Sequence, residues 1–337
     1  MITFEDIQAA QSRIQAFVQI TPIVQSNLLN DWLGHNIYFK AECLQTTGAF
    51  KLRGAINVIA KLAENGELPK RIVANSSGNH AQAVAYAAAQ FNIPATIYAA
   101  QSVSAIKAAA TEYYGATIKR FALRTDADKA VAEAAKQDGT LWIPPFNHPD
   151  IIAGQGTVAA ESIAQLNAQN ITPDAVFAPC GGGGLLSGSI ISTRALLPDA
   201  QVLGAEPANA NDASRSLQSG KIESLDGPAD TLADGAATPS IGEHTFEIIQ
   251  QVDDFYEVDE VQIAYWTQWL QHLLKLHIEP TCAMTMAAVV AWLLEQKEQK
   301  QVLVLLSGGN ISQASMQKIW QKDYLLQPPI LNASDSE

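Results

Sequence analysis

Cysteine is scarce in this chain of 337 residues: Cys43, Cys180 and Cys282 stand far apart and are odd in number. That spacing excludes a disulfide framework and a zinc site built on paired cysteines, and it predicts reduced thiols with structural roles. Clusters of lysine and arginine are missing as well, and the formal net charge is -13. Nucleic acid and anionic membranes are therefore poor partners for it. No segment offers the roughly 20 uninterrupted apolar residues that span a bilayer. The opening MITFEDIQAAQSRIQ lacks the basic start and apolar stretch of a secretory signal. Fixed-period repeats and low-complexity tracts are absent too. A cytoplasmic protein acting on a small molecule is the expectation.

What is present is the balance of an ordinary globular chain, 47% apolar and 16% charged, long enough for two domains or one large α/β unit split by a cleft. Helical spacing runs from Ile7 to Val18 and stops at Thr21-Pro22. Strands are predicted at 36–41, 71–75, 95–100, 116–121 and 140–143, alternating with helices from about 50, at 79–90, at 104–113 and at 126–137. After Pro144-Pro145 a second series follows, with strands at 175–179, 201–206 and 301–306, a helix from about Leu185, and a polar irregular stretch over 207–242. Such alternation is the signature of parallel sheets with helices on their faces. The segment after Leu325 reads as a loose tail.

Four loops carry chemistry. In TTGAFKLRGA (46–55), Lys51 sits where a glycine loop enters a helix; desolvation there lowers an amine's pKa and makes it a Schiff-base nucleophile. The plain alternative is that Lys51 and Arg53 are solvated first-turn charges. ANSSGNHAQA (74–83) places hydroxyl and amide donors at a helix start, suited to a carboxylate or phosphate, or merely to capping. CGGGGLLSG (180–188) follows a strand and opens a helix, so its N–H groups can converge on a phosphate. It is not a P-loop, because no Lys-Ser or Lys-Thr follows. Glu206 ends the next strand, about 22 residues beyond Gly184, so a nicotinamide site stays open on this motif alone. LLSGGN (305–310) ends the last strand and can face the same crevice.

These loops, in this order, resemble the tryptophan synthase β-like family of pyridoxal-phosphate enzymes, fold type II, most of all its serine racemase and serine/threonine dehydratase branch. The likeness runs from about Asp6 to Ile319 and includes AGQGT (153–157), GAEPANAND (204–212), LADGA (232–236) and IEPT (278–281). The resemblance implies two open twisted α/β domains with the cofactor in the cleft between them: a large domain of 1–70 and 148–325, a small mobile one of 71–147, and a tail of 326–337. It implies that Lys51 holds the cofactor, that Phe50 packs on its ring and that Asn79 meets the ring hydroxyl. Gly181, Gly182, Gly183, Gly184 and Leu185 then cradle the phosphate, and Ser307 meets the pyridine nitrogen. A neutral hydroxyl there makes a milder electron sink, which suits elimination more than transamination.

By the same likeness Ser76, Asn79 and His80 grip the substrate carboxylate, and Ser77 is the acid/base on the cofactor face opposite Lys51. Glu206, the carbonyl of Ala210, and Asp212 match a Mg or Ca site, the all-oxygen set a hard cation prefers. A homodimer is implied as well. Two departures bear on substrate. Asp128 stands where serine racemases and 3-hydroxyaspartate dehydratases carry an arginine, which disfavours a dianionic substrate. Phe146 replaces a polar amide of some racemases, which favours a dehydratase of neutral amino acids. The chain ends soon after its last predicted helix, so feedback control by an added carboxyl-terminal domain is not expected. The expected activity is α,β-elimination from serine or threonine to a 2-oxo acid and ammonia, with racemisation or 3-hydroxyaspartate dehydration as alternatives. A nicotinamide dehydrogenase leaves Lys51 without a role, and a non-catalytic amino-acid sensor leaves Lys51, Ser77 and Ser307 intact for no purpose.

Overall fold

The computed structural model describes residues 2–76, 78–101 and 103–331. The chain opens with α1 (Phe4–Ile14), β1 (Ile23–Val24), α2 (Asn27–Leu33), β2 (Asn36–Ala41) and α3 (Lys51–Glu64). It continues with β3 (Arg71–Asn75), α4 (Asn79–Gln90), β4 (Ala95–Ala100), α5 (Ala105–Tyr113), β5 (Thr117–Phe121), α6 (Arg124–Ala135) and β6 (Thr140–Trp142). Next come α7 (Pro149–Asn167), β7 (Ala175–Pro179), α8 (Gly184–Leu196), β8 (Gln201–Pro207), α9 (Asp212–Ser219), α10 (Glu243–Ile249) and β9 (Asp254–Val258). The chain closes with α11 (Glu260–Leu274), α12 (Pro280–Ala283), α13 (Thr285–Leu293), β10 (Gln301–Leu306) and α14 (Gln313–Ile319).

Two sheets result, of six strands in the order β1-β2-β10-β7-β8-β9 and of four in the order β5-β4-β3-β6. Every pairing is parallel except that of β1 with β2. Strands β7 and β10 are buried almost throughout, as central strands covered on both faces must be, and this is why AVFAP and QVLVLL read as continuous apolar runs. Register sets the site. Leu306 pairs with Ala41, and Pro179 with Ala205, so the loops that follow β2, β10, β7 and β8 leave the sheet from one edge, the carboxyl ends where open α/β sheets bind ligands.

A buried charge cluster anchors the start of α3. The Arg53 guanidinium, 1% exposed, donates to Glu42 through Nε and Nη2, both at 2.8 Å, and to Glu161 at 3.0 Å. Lys40 Nζ joins it, donating to Glu161 and to the Thr21 carbonyl. Arg53 is thus no solvated first-turn charge. A buried pair fully hydrogen-bonded on both sides is costly to break from one side, so two residues after Lys51 the helix is pinned to β2 and α7.

Some elements differ from expectation. The first helix stops at Ile14, and Phe17 and Val18, expected in it, leave the helix and pack against the core of α3 and α4. The stretch 207–242 contains α9, whose first amides find an acceptor: Ala213 N and Ser214 N donate to the Glu206 carboxylate at 3.2 and 2.7 Å. Such a carboxylate at a helix N-terminus satisfies otherwise orphaned donors. β9 lies where only helices were expected. The expected loose tail is docked as far as Leu331, with Leu325 and Leu331 against the core and the Gln327 carbonyl accepting from Tyr265 Oη and Trp269 Nε1; residues 332–337 lie outside the described residues.

Candidate active site

Lys51 is the first residue of α3, and its position is fixed by a crossing between two loops far apart in sequence. Phe50 N donates to the Ser307 carbonyl at 3.0 Å and Gly309 N to the Gly48 carbonyl at 2.9 Å, around a bridge between Ala49 and Gly308. The Lys51 Nζ donates to the Pro145 carbonyl at 2.6 Å and lies 5.1 Å from the centroid of the Phe50 ring. Desolvation lowers its pKa to about 8, against the pull of the Glu279 charge. A lysine held that far below its ordinary value presents a usable fraction of neutral amine near neutral pH.

Around it, α4 begins at Asn79. The Asn79 amide nitrogen donates to both oxygens of Glu279, at 3.0 and 3.1 Å, while its carbonyl accepts from Asn310 Nδ2 at 2.9 Å. Burial raises the Glu279 carboxyl to about 7, with the Asp234 charge adding to the effect. Ser76 Oγ accepts from Gly78 N. His80 Nε2 lies 2.9 Å from the Ile143 carbonyl oxygen, which requires the proton on Nε2 and leaves Nδ1 an acceptor. Burial and the Lys51 charge push the ring down to about 3. The neutral ring therefore has no second N–H to offer a carboxylate, and any grip by His80 falls to its backbone amide in the first turn of α4. Ser77 lies outside the described residues.

The glycine loop supplies the opposite wall. Gly183 caps α8 with φ +84°, a left-handed conformation that disfavours other side chains. At Gly182 an added Cβ would fall 2.2 Å from the Phe146 ring, so the aromatic that follows Pro145 packs on the loop backbone. Ser307 follows β10; it is 2% exposed, and its hydroxyl has no hydrogen-bond partner among the described residues.

Phe50, Lys51, Ser76, Asn79, His80, Gly181, Gly182, Gly183, Gly184, Leu185 and Ser307 all line one cavity of about 250 Å³. The sequence-predicted residues thus converge, apart from Ser77 and the three assigned to a metal. The cavity is also lined by Asn75, Lys107, Arg124, Asp128, Asp234 and Glu279. Of these six the sequence reading singled out only Asp128, as a residue bearing on the substrate. Lys107 Nζ donates to Asp234 at 2.7 Å, Arg124 Nη1 to the Ala237 carbonyl at 3.3 Å, and Asn75 Nδ2 to Asp128 at 2.7 Å. Glu279 stands in the IEPT motif; Lys107 and Arg124 have no local signal, because their roles arise from contacts with residues more than a hundred positions away.

The residues assigned to a metal sit apart, at the end of β8. Glu206 and Asp212 are both fully buried. Both Asp212 oxygens lack a hydrogen-bond partner among the described residues, and burial raises Glu206 to about 9 and Asp212 to about 6. A buried carboxylate that no hydrogen bond satisfies among the described residues, beside a second buried one, fits a hard divalent cation. No group of three or more His, Cys, Asp or Glu side chains suited to a metal occurs among the described residues, so such a site would draw on the Ala210 carbonyl and water.

For pyridoxal phosphate the fit rests on three observations: an amine of lowered pKa, a buried hydroxyl without a partner, and a glycine loop at a helix N-terminus, on one cavity. The comparisons agree. L-threo-3-hydroxyaspartate ammonia-lyase of Saccharomyces cerevisiae is 42% identical over 92% of this chain and 93% of its own. Serine racemase of Mus musculus is 38% identical over 96% and 95%. The crystal structure of the T.th. threonine deaminase superposes with a TM-score of 0.86 at 39% identity, covering 92% of this chain and 99% of that one. The family of pyridoxal-phosphate dependent enzymes matches residues 14–308, and this chain belongs to it.

Proposed function

We propose that the chain is an ammonia-lyase that eliminates water from a small 2-amino-3-hydroxy acid, serine or threonine in the first instance, and that hydrolysis of the resulting imine takes the water back and releases ammonia, leaving a 2-oxo acid. The observation that carries this reading is Lys51: an amine lowered to about 8 on the cavity wall, opposite a glycine loop and beside an unpartnered serine hydroxyl. Pyridoxal phosphate, when bound, supplies the electron sink that lets an amino acid lose its α-proton. Lys51 would hold the cofactor, and its amine, when free, would take the substrate's α-proton. Phe50 would pack on the cofactor ring, Asn79 would meet its hydroxyl and Ser307 its nitrogen, and the amides of Gly181 to Leu185 would hold the phosphate. Ser76, Asn79 and the His80 amide bind the substrate carboxylate. The serine in place of an acid at position 307 supports elimination over transamination.

Racemisation is the second reading, supported by the likeness to the mouse serine racemase; it assigns Ser77 as the second acid/base. Dehydration of 3-hydroxyaspartate is a further alternative, supported by the yeast relative. Residues 71–147, which hold all four strands of the smaller sheet, act in this reading as a mobile domain that closes on residues 1–70 and 148–325 and excludes water. Glu206, the Ala210 carbonyl and Asp212 bind Mg or Ca. In this reading the protein works as a cytoplasmic homodimer, the dimer being what the family likeness implies. No helix among the described residues is long and apolar enough to cross a membrane. The test is release of 2-oxo acid by cofactor-loaded protein from L-serine and L-threonine in parallel, with magnesium. Release from either supports a dehydratase; none from both, together with interconversion of serine enantiomers, supports the racemase.

A further inference from the structure

We propose that Glu279 is a positioning residue of the cofactor site: together with Asn310 it fixes the Asn79 amide in one orientation, so that Asn79 meets the cofactor's ring oxygen only as a donor. The inference rests on the proposed contact between Asn79 and that oxygen and goes one step beyond it. Its basis is a chain of hydrogen bonds in which each group settles the direction of the next.

The chain starts from a backbone carbonyl, which can only accept. Asn310 Nδ2 donates to the Thr47 carbonyl at 2.8 Å, so the end of the Asn310 amide found there is the nitrogen. The same nitrogen donates to Asn79 Oδ1 at 2.9 Å, which assigns the oxygen end of Asn79. From the other side, Asn79 Nδ2 lies 3.0 and 3.1 Å from the two Glu279 oxygens. An ionised carboxylate accepts only, so it assigns the nitrogen end independently. Both anchors give the same orientation. The two oxygens of one carboxylate sit too close together to take one each of an amide's diverging N–H bonds, so one N–H is shared between them and the second stays spare. Asn79 lines the cavity, and the spare N–H is what it has to offer a ligand there. A donor so fixed favours an ionised ring oxygen over a protonated one.

Glu279 has no other hydrogen-bonding use for its charge. It is 2% exposed and feels the charges of Asp234, Lys107 and Lys51, yet among the described residues only Asn79 hydrogen-bonds its carboxylate. A buried carboxylate with a single neutral partner is costly, and such costs collect at functional sites. The clamp is also rigid. Glu279 N donates to the Gly308 carbonyl at 3.0 Å. A Cβ added at Gly308 would fall 2.6 Å from Glu279 Oε1, and one added at Gly48 would fall 2.6 Å from Asn310 Oδ1. Gly48 and Gly308 belong to the loop crossing that places Lys51, so the two side chains that orient Asn79 are seated on the backbone that positions the amine.

The test is a double-mutant cycle on cofactor affinity, titrated into cofactor-free protein at about pH 8, where the Glu279 carboxyl, raised by burial to about 7, is ionised. Glu279→Met and Asn79→Ala should each weaken binding about tenfold, the loss of one hydrogen bond. The double variant should lose no more than either single one. Glu279→Gln, whose amide oxygen still accepts from Asn79, should recover most of the affinity. Loaded Glu279→Met should also lose long-wavelength absorbance, because the ring oxygen takes up a proton once its donor is free to turn away. Additive losses would show that Glu279 acts without Asn79, and unchanged affinity and absorbance in Glu279→Met would show that it does not act at all; either overturns the proposal and leaves the Asn79 contact standing. Unchanged affinity in Asn79→Ala would remove that contact and overturn both. Should Glu279→Met not fold, Asn310→Ala carries the same cycle from the other end of the amide: losses that do not add to those of Asn79→Ala uphold the clamp, and additive losses overturn it. None of these readouts depends on release of 2-oxo acid, so the ammonia-lyase reading stands or falls separately.

Discussion

Asn79 and Glu279, two hundred residues apart, are joined by a double hydrogen bond in which one amide nitrogen donates to both carboxyl oxygens, at 3.0 and 3.1 Å. The pair lies on the cavity wall with Lys51. Burial first, then the Asp234 charge, raises Glu279 from 4.5 to about 7, so the folded protein retains a proton that the unfolded chain releases. That stabilising contribution is complete below the unfolded value and is lost as pH rises towards 7. In cofactor-free protein, Glu279→Gln should remove this pH-dependent loss, which is at most about 3 kcal/mol. Urea unfolding of both proteins at about pH 5 and pH 8 measures it; the same pH dependence in both would contradict the assignment.

Ser307 should show opposite signs in two assays. Its buried hydroxyl has no hydrogen-bond partner among the described residues, and an orphan of this kind costs about 1 kcal/mol or more. Ser307→Ala should therefore stabilise the cofactor-free protein while weakening cofactor binding about tenfold, the effect of losing one hydrogen bond. Unfolding midpoints and a cofactor titration give the two numbers. Destabilisation with unchanged affinity would remove Ser307 from the cofactor site.

Because the neutral amine is the nucleophile, capture of pyridoxal phosphate by cofactor-free protein should accelerate with pH and level off above about 8, the value to which burial lowers Lys51. Stopped-flow absorbance across about pH 6 to 10 follows it. A midpoint near the ordinary lysine value would mean that the amine is solvated.

Asp212, fully buried and with neither oxygen hydrogen-bonded among the described residues, should make the fold responsive to divalent ions. Saturating magnesium or calcium, at about 100 times Kd, should add about 2.7 kcal/mol of stability, seen as a rise of several degrees in Tm. Asp212→Ala should abolish that rise and leave the stability of the metal-free protein little changed, since burial disfavours the Asp212 charge and raises the carboxyl to about 6. A rise that persists in the variant would place the ion elsewhere.

The loops at 46–51, 76–80, 180–185 and 307–310 were legible in the sequence because each puts glycine, joined by hydroxyl groups in all but 180–185, directly after a predicted strand or before a predicted helix, and parallel strands align such loops on one edge. What escaped depends on long-range contact. The sequence left Arg53 open to the plain alternative of a solvated charge because its partners Glu42 and Glu161 come from just after β2 and from α7. Lys107 and Arg124 gain their place in the cavity only when α5 and α6 pack beside the loop at 234–238. Asp128 was read as a local charge deciding substrate, whereas the cation one turn away enters the same cavity. α9 was missed because it is only 8 residues long, mostly polar, and embedded in a polar stretch; the Glu206 carboxylate, which no local pattern connects to it, accepts from its first amides. β9 was missed because its five residues sit at the edge of the sheet, half exposed.

The most direct test of the account is to reduce the cofactor-loaded protein with borohydride and locate the pyridoxyl group by peptide mass spectrometry. The account predicts the label on Lys51, with neither label nor turnover in Lys51→Ala. A label on another lysine, together with full turnover in Lys51→Ala, would contradict it.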